Sequence, residues 1–457
     1  MKKVIILGLM FVGVTLTSCK KYLDIAPKQT LGDNLVVTSM DGLSNVAVAG
    51  FNQTQSGNLY GGGIIANTEL WADFINTNPI SDFSLSQFRS HQFNVYNSQA
   101  GGMWNDGYRA ILIANTLLKY LPNFATQYPD RVKVASGQAY FIRAVMHYEL
   151  LREFAQPSGY TSDDSHLGIP IRLTPPASPY DGQSTPRSTV AQVYSQIISD
   201  LQKADSLLPA DNSAFASKYA AEAFLAKAYF SQNKFAEAKT YADMVISGPF
   251  SLNDSVATTY TPLGTTTTPE TVFQIINESN DNDGTLHGRF SVPPFGSTVP
   301  LYIMNTPFQV ILQTAKANND RRFALYKRSF GLYFCKKYDQ QYANVTVVRL
   351  AEMLLTRAEC EAQAGNNTDA LADLNKVRSR AGLFPETSSG AALVTAIRNE
   401  RTLELAMEGD HYFEVKRIKD TYHTQFGDFQ WNDPVMVYPI PAQEVNQNKN
   451  MVQNQGY

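Results

Sequence analysis

Residues Tyr219–Ile246 read YAAEAFLAKAYFSQNKFAEAKTYADMVI, and Val347–Arg380 read VVRLAEMLLTRAECEAQAGNNTDALADLNKVRSR. In the first stretch Leu225, Ala226 and Tyr229 are followed by Ala238, Ala242 and Val245. In the second, Leu354 and Ala358 are followed by Ala370, Leu374 and Val377. Three- and four-residue spacing puts each set on one face of a helix. The step from Ala226 to Ala238 equals that from Ala358 to Ala370. Small residues at matched positions let two antiparallel helices approach closely, while the larger ones fill the groove of the next pair. One supersecondary unit is therefore written twice.

This is the tetratricopeptide pattern, and because one pair cannot bury its own faces, at least about three are needed. Ala135 to Phe154 with Val190 to Leu208 are expected to supply degenerate copies, and Ile111 to Leu121 and Leu393 to Met407 also carry helical period. The predicted fold is mostly α, a tetratricopeptide-like helical repeat scaffold with long loop-rich insertions and a few short strands. The insertions are Gln53 to Gly102, Gln156 to Ser188 and Ser247 to Gln341, rich in Gly, Pro, Asn, Ser and Thr. Loops of this length in a compact domain are usually functional. Strand signals occur at Val272 to Ile276, Leu332 to Lys336 and Val435 to Tyr438.

At the start, Lys2 and Lys3 precede an apolar run from Val4 to Leu16, then Leu16-Thr17-Ser18-Cys19. That is the pattern of a lipoprotein signal, so residues 1–18 are expected to be removed and Cys19 acylated. The run is too short to span ~30 Å of hydrocarbon, and a stable anchor needs several acyl chains. The rest reads as one compact architecture. Residues 19–220 hold the first helix pairs and the Gln53 to Gly102 loop, and 221–457 hold the later pairs and the Ser247 to Gln341 insertion. Losing Lys2 and Lys3 from 38 basic residues leaves 36 against 41 acidic ones, a formal charge of −5. Such a balance offers no electrostatic footprint for nucleic acid. Cys335 and Cys360, the remaining cysteines, read as buried thiols and not as a disulfide scaffold.

Catalysis needs several groups converging on one atom. His91, His147, His166, His287, His411 and His423 are scattered, and no Walker or dinucleotide motif occurs. Asp163-Asp164-Ser165-His166 could supply an acid and a base, but adjacent residues seldom aim at one point, and it reads as a solvated loop. Asn280-Asp281-Asn282-Asp283-Gly284 resembles the start of a calcium loop. Ser279 stands where the first Asp belongs and Phe290 where the bidentate Glu belongs, so it reads as a turn. No cofactor is expected, and Asp281 and Asp283 mark the one place where a structural calcium would sit. Glu400, Arg401, Glu404 and Glu408 form a charged stripe that, with Arg143 and Arg349, reads as ion pairing between packed helices. The chain is not expected to be an enzyme.

A sugar site needs flat aromatic faces for pyranose rings and short polar side chains for the hydroxyls. In Gln53 to Gly102, Trp71, Phe74, Phe83, Phe88, Phe93 and Tyr96 interleave with Asp73, Asn76, Asn78, Asp82 and Asn94. A second loop adds Phe295, Tyr302 and Asn305. The ligand-binding candidates are Trp71, Asp73, Phe74, Asn76, Asn78, Tyr96 and Tyr302, with Trp71 foremost. The competing reading is that such aromatics pin long loops to the helices. Only Trp71, Trp104 and Trp431 exist, so a broad indole platform cannot be built, and oligosaccharide and peptide both remain open as ligands.

Several blocks recur in a recognisable order: Cys19 to Pro27, then Trp104-x-x-x-Tyr108-x-x-Ile111-x-x-x-Asn115, Gly137-Gln138-Ala139 with Phe141-Ile142-Arg143-Ala144, and Gly168-Ile169-Pro170. Val348 to Met353, Arg357-Ala358-Glu359, Leu374-Asn375-x-x-Arg378, Glu400 to Gly409 and Pro439-Ile440-Pro441-x-x-Glu444-x-x-x-Asn448 follow. Together they resemble the SusD/RagB family of outer-membrane nutrient-binding lipoproteins nearly end to end. After Glu408-Gly409 the chain departs from the family's usual Arg, with Asp410-His411-Tyr412-Phe413 intervening. The resemblance implies about four tetratricopeptide-like helix pairs and capture of oligosaccharides at the cell exterior. It also implies a SusC-like TonB-dependent transporter as partner and attachment to the outer membrane through Cys19. The alternatives are a RagB-like oligopeptide binder and an assembly scaffold without a small ligand.

Overall fold

The structure is a computed structural model that describes residues 37–77, 83–176, 185–211, 215–277, 285–291, 302–329 and 331–457. Cys19 and the signal segment, Asn78, Asp82, the Asp281 and Asp283 turn, and Phe295 lie outside the described residues.

The described helices pair as the repeat requires. Met40–Thr54 packs on Ser98–Tyr120, Pro129–Phe154 on Val190–Leu207, Lys218–Phe230 on Phe235–Ile246, and Leu350–Gln363 on Asn367–Arg380. Gly390–Glu404 packs on the last pair. Ala226, Ala238, Ala242, Ala358 and Ala370 are all 0% exposed, which is what the close approach of helices demands. The third and fourth pairs touch through Phe235–Ile246 and Leu350–Gln363 although about a hundred residues of insertion separate them in sequence. Helix starts are fixed locally: Thr189 and Gln192 form a reciprocal capping box, and Asn97 accepts from the N–H groups of Gln99 and Ala100. Among the described residues no helix is long and apolar enough to cross a membrane.

The division at residue 220 falls within the Lys218–Phe230 helix. Cys335 and Cys360 are buried free thiols. The strands at Thr271–Ile275 and Leu332–Cys335 match their sequence signals, but Val435 to Tyr438 does not form a ladder. Pro434 opens a 3-10 turn there, and proline cannot donate to a sheet. The helix expected to begin at Val347 starts at Leu350, and Val345–Arg349 is instead a strand paired antiparallel with Thr271–Ile275. Its β-branched run of Val345, Thr346, Val347 and Val348 explains the switch. The Gln53 to Gly102 stretch, expected as loop, contains helices Gly63–Trp71 and Phe83–Ser90. Every residue of Gly63–Trp71 is buried, so the helix has no polar face and no readable period. Gly61 and Gly63 permit its tight entry, because a Cβ at either would collide with the backbone carbonyls of Gln55 or Asn58.

An ionic layer joins the late insertion to the C-terminal repeats. Arg349 donates to Glu270 at 2.9 Å and to Glu408 at 2.8 Å, and also pairs with Glu404. Arg322 pairs with Asp320 at 2.7 Å, Glu400 at 2.6 Å and Glu404 at 2.9 Å, while Lys337 meets Glu408 at 2.6 Å. Arg401 differs from expectation, since it reaches away from Glu404 and Glu408 to Asp410 at 2.6 Å. Arg143 grips Asp200 through two nitrogens, at 2.8 and 2.7 Å. These charges hold the scaffold together.

Burial alone would raise the Glu408 carboxyl, but Arg349 and then Lys337 overcome it and bring the group down to about 2. A carboxylate that titrates near 4.3 in the unfolded chain contributes stability fully present above that pH. That contribution is lost as pH falls toward 2. Thermal melts between pH 6 and 2 are therefore expected to show an acid limb that Glu408→Gln flattens. An equally steep limb in the variant would assign the acid sensitivity to other groups.

Candidate ligand-binding face

Most of the aromatics expected to hold a ligand are turned inward. Trp71 is 0% exposed, with Tyr412 stacked on it at 4.6 Å and 16°, Tyr438 at 4.7 Å and Phe93 at 4.8 Å. Phe88 meets it edge-on at 5.6 Å. With its faces and edges covered, the indole cannot stack on a sugar, and the reading of Trp71 as the leading platform is corrected. Phe74 is likewise buried between His411 at 4.3 Å and Phe308 at 4.9 Å. Tyr302 is buried against Phe290, and its hydroxyl accepts from Arg289 at 3.3 Å.

Asp73 acts as a tie. Held at φ 55, it accepts from the side chain of Asn305 and from the backbone N–H of Gln425 at 3.0 Å. Three segments distant in sequence are thereby joined: the end of Gly63–Trp71, the cap of helix Thr306–Ala317, and the turn of the Thr421–Thr424 and Gly427–Gln430 hairpin. Asn76 is half-buried in the short strand Ile75–Thr77, paired with Tyr302–Met304, and its Oδ1 accepts from Thr77 N–H at 2.9 Å. Asp73, Phe74 and Tyr302 are therefore buried ties and packing groups, not the exposed ligand contacts the sequence suggests.

Two rings do reach solvent: Tyr96, 77% exposed, and Phe83, 72% exposed. Their mounting is built from polar side chains. Asn97 Nδ2 donates to Ser84 O and Gln87 Oε1, both at 3.0 Å, which fixes the segment after Phe83 to the segment after Tyr96. Gln87 Oε1 also accepts from Asn94 N–H at 3.0 Å, and Asn94 Oδ1 accepts from Tyr96 N–H at 2.9 Å. On the other side, Val95 O accepts from Ala442 N–H at 2.9 Å. The buried Asn97 and Gln87 amides bond each other and the backbone, which fixes the turn while the two rings stand in solvent. The signal was present in the sequence, as Asn94 and Asn97 bracket Tyr96 at cap and Asx-turn spacing.

The hairpin beside this turn went unread. Phe429 stacks on His91 at 4.2 Å, and Phe426 at the hairpin turn is 46% exposed. Burial lowers the His91 imidazole to about 4, so it is neutral at physiological pH. The face thus presents solvent-facing rings on an uncharged frame.

The groups weighed for catalysis are occupied elsewhere. Asp164 accepts from Ser158 Oγ and Gly159 N–H, both at 2.6 Å, while the His166 ring nitrogens engage Thr161 and Gln156 O, each at 3.0 Å. They brace their own loop. Glu400 is sequestered by Arg322 and Arg378. Among the described residues no group of His, Cys, Asp and Glu is arranged to hold a metal ion.

The helical-repeat scaffold thus raises two solvent-facing rings on a hydrogen-bonded frame. Residues 21–230 match the family described as starch-binding and associating with the outer membrane, and residues 334–433 match the SusD family. SusD-like protein P2 of Formosa agariphila is 24% identical over 436 residues, covering 78% of this chain and 80% of that one. The starch-binding protein SusD of Bacteroides thetaiotaomicron is 33% identical over 131 residues, which is 25% of this chain and 22% of that one. Among solved structures, a SusD superfamily protein from Bacteroides fragilis superposes with a TM-score of 0.80 at 23% identity, covering 91% of this chain and 99% of that one. A SusD-like carbohydrate-binding protein from Bacteroides vulgatus gives 0.77 at 18%, covering 90% and 97%. The chain belongs to the SusD/RagB family. It is a SusD-like binding protein of a family associated with the outer membrane.

Proposed function

We propose that the protein captures oligosaccharides at the exterior of an outer membrane, to which Cys19 tethers it, and delivers them to a SusC-like TonB-dependent transporter without chemistry of its own. The observation that carries the reading is the pair of exposed rings, Tyr96 and Phe83, held by a frame of buried amides. Exposed aromatic faces suit the apolar face of a pyranose ring, which stacks on them. The description of the matched family as starch-binding and the name of the Bacteroides relative support the same class of ligand. Oligopeptide capture is the second reading, favoured by a platform of tyrosine and phenylalanine without indole.

Soluble protein beginning after Cys19, screened on oligosaccharide and peptide arrays, is expected to retain oligosaccharides. Retention of peptides alone would move the assignment to the second reading, and retention of neither would leave an assembly scaffold. In cells, Cys19→Ala is expected to release a folded protein that still binds its ligand while uptake fails. Unchanged uptake would count against a role for the anchor in delivery.

A further inference from the structure

Trp431 is the one tryptophan that reaches solvent, because Trp71 and Trp104 are 0% and 1% exposed. It sits at the base of the hairpin whose Phe429 stacks on His91, about two residues along the strand from that contact. Tyr160, 38% exposed, meets it at 6.5 Å and 75°, so the two rings form a corner. Lys419 completes the corner, with its ammonium 5.0 Å from the indole centroid and donating to Gly159 O at 3.0 Å.

The arrangement is built and braced. Lys419 takes the left-handed conformation, φ 59, that ends helix His411–Ile418. A Cβ at Gly159, itself at φ +82, would stand 3.0 Å from the Lys419 ammonium, so glycine allows the approach. Beneath Tyr160, the side chains of Asp164 and His166 lock the loop, and the His166 ring lies 5.1 Å from the Tyr160 ring. A surface loop that folds its carboxylate and imidazole inward and leaves a tyrosine outward is preorganised for contact at that ring. Asp163 on the loop and Asp420 beside Lys419 are exposed, which disfavours an anionic lipid surface and supplies acceptors for hydroxyl groups.

We propose that Tyr160 and Trp431 form a second subsite that holds one pyranose ring of an oligosaccharide seated at Tyr96 and Phe83, with Lys419 bonding its hydroxyls. The proposal rests on the oligosaccharide reading above. The hairpin links the two sites, since His91 precedes Tyr96 by five residues and Phe429 precedes Trp431 by two. A ligand must therefore be long enough to reach from one to the other.

Acrylamide quenching of tryptophan emission tests this directly, because only Trp431 is accessible to the quencher. Maltoheptaose, xylohexaose, cellohexaose and mannohexaose are titrated into full-length mature protein, with binding followed in parallel by calorimetry. The oligosaccharide that binds is expected to protect the quenchable emission at least about twofold. Tyr160→Ala with Trp431→Ala is expected to weaken it about fivefold to tenfold. Trp431→Phe, which keeps a ring, should lose the quenchable emission and retain most of the affinity. Binding that leaves quenching unchanged, together with wild-type affinity in the double variant, overturns the subsite and leaves the proposed function standing. Failure of all four to bind overturns the oligosaccharide reading and the subsite with it.

Discussion

Arg349→Ala is expected to lower the free energy of unfolding by about 3–5 kcal/mol, enough to leave little folded protein if the scaffold is of ordinary stability. The side chain is 1% exposed and serves Glu270, Glu404 and Glu408 at once. Removing the guanidinium leaves Glu270, Glu404 and Glu408 buried with only Arg380, Arg322 and Lys337 still paired to them, and Arg322 is shared with Asp320 and Glu400. The burial cost of those carboxylates decides the outcome, because making the pairs contributes less than breaking them removes. Urea denaturation of the purified variant measures the loss. A change below about 1 kcal/mol would mean that water already solvates the layer.

Trp71→Ala is expected to cost a similar amount, about 3–5 kcal/mol, by a different route. Four rings, those of Tyr412, Tyr438, Phe88 and Phe93, pack against the indole, and none can collapse far into the space left. Trp71→Phe keeps most of the contacts and should cost much less. The stability of the variants, compared with their ligand affinity per folded molecule, separates the core role from a binding role. Intact stability with abolished affinity would restore Trp71 to the ligand site. Replacing Trp71 together with Phe74 is a poor test of binding, because both changes open the core.

The repeat was legible because its signal is local: Ala226, Ala238, Ala358 and Ala370 stand where two helices must touch, and spacing alone reveals them. The helix Gly63–Trp71 was not legible, since a segment buried on every side carries no periodic contrast. Trp71 was misread for a related reason. The polar residues near it in sequence, Glu69, Asp73 and Asn76, suggest a surface, whereas Tyr412 and Tyr438 come from the far end of the chain. Asp73 reads from the sequence as a ligand candidate, and its buried partners Asn305 and Gln425 cannot be known from spacing. Arg401 shows the same limit, pairing with Asp410 beyond the helix end when helical spacing pointed to Glu404. Tyr96 stands exposed, as a ligand candidate must, and Asn94 and Asn97 commit their side chains to the backbone on either side of it.

The proposed function requires the exposed rings, and not the buried indole, to receive the ligand. Calorimetric titration of Phe83→Ala with Tyr96→Ala, using whichever oligosaccharide the arrays retain, tests it most directly. Both side chains are largely in solvent, so the melting temperature should stay within a degree or two of the parent. Affinity is expected to fall at least about tenfold at that unchanged stability, as two stacking faces are lost. Parental affinity in a stably folded double variant would contradict it.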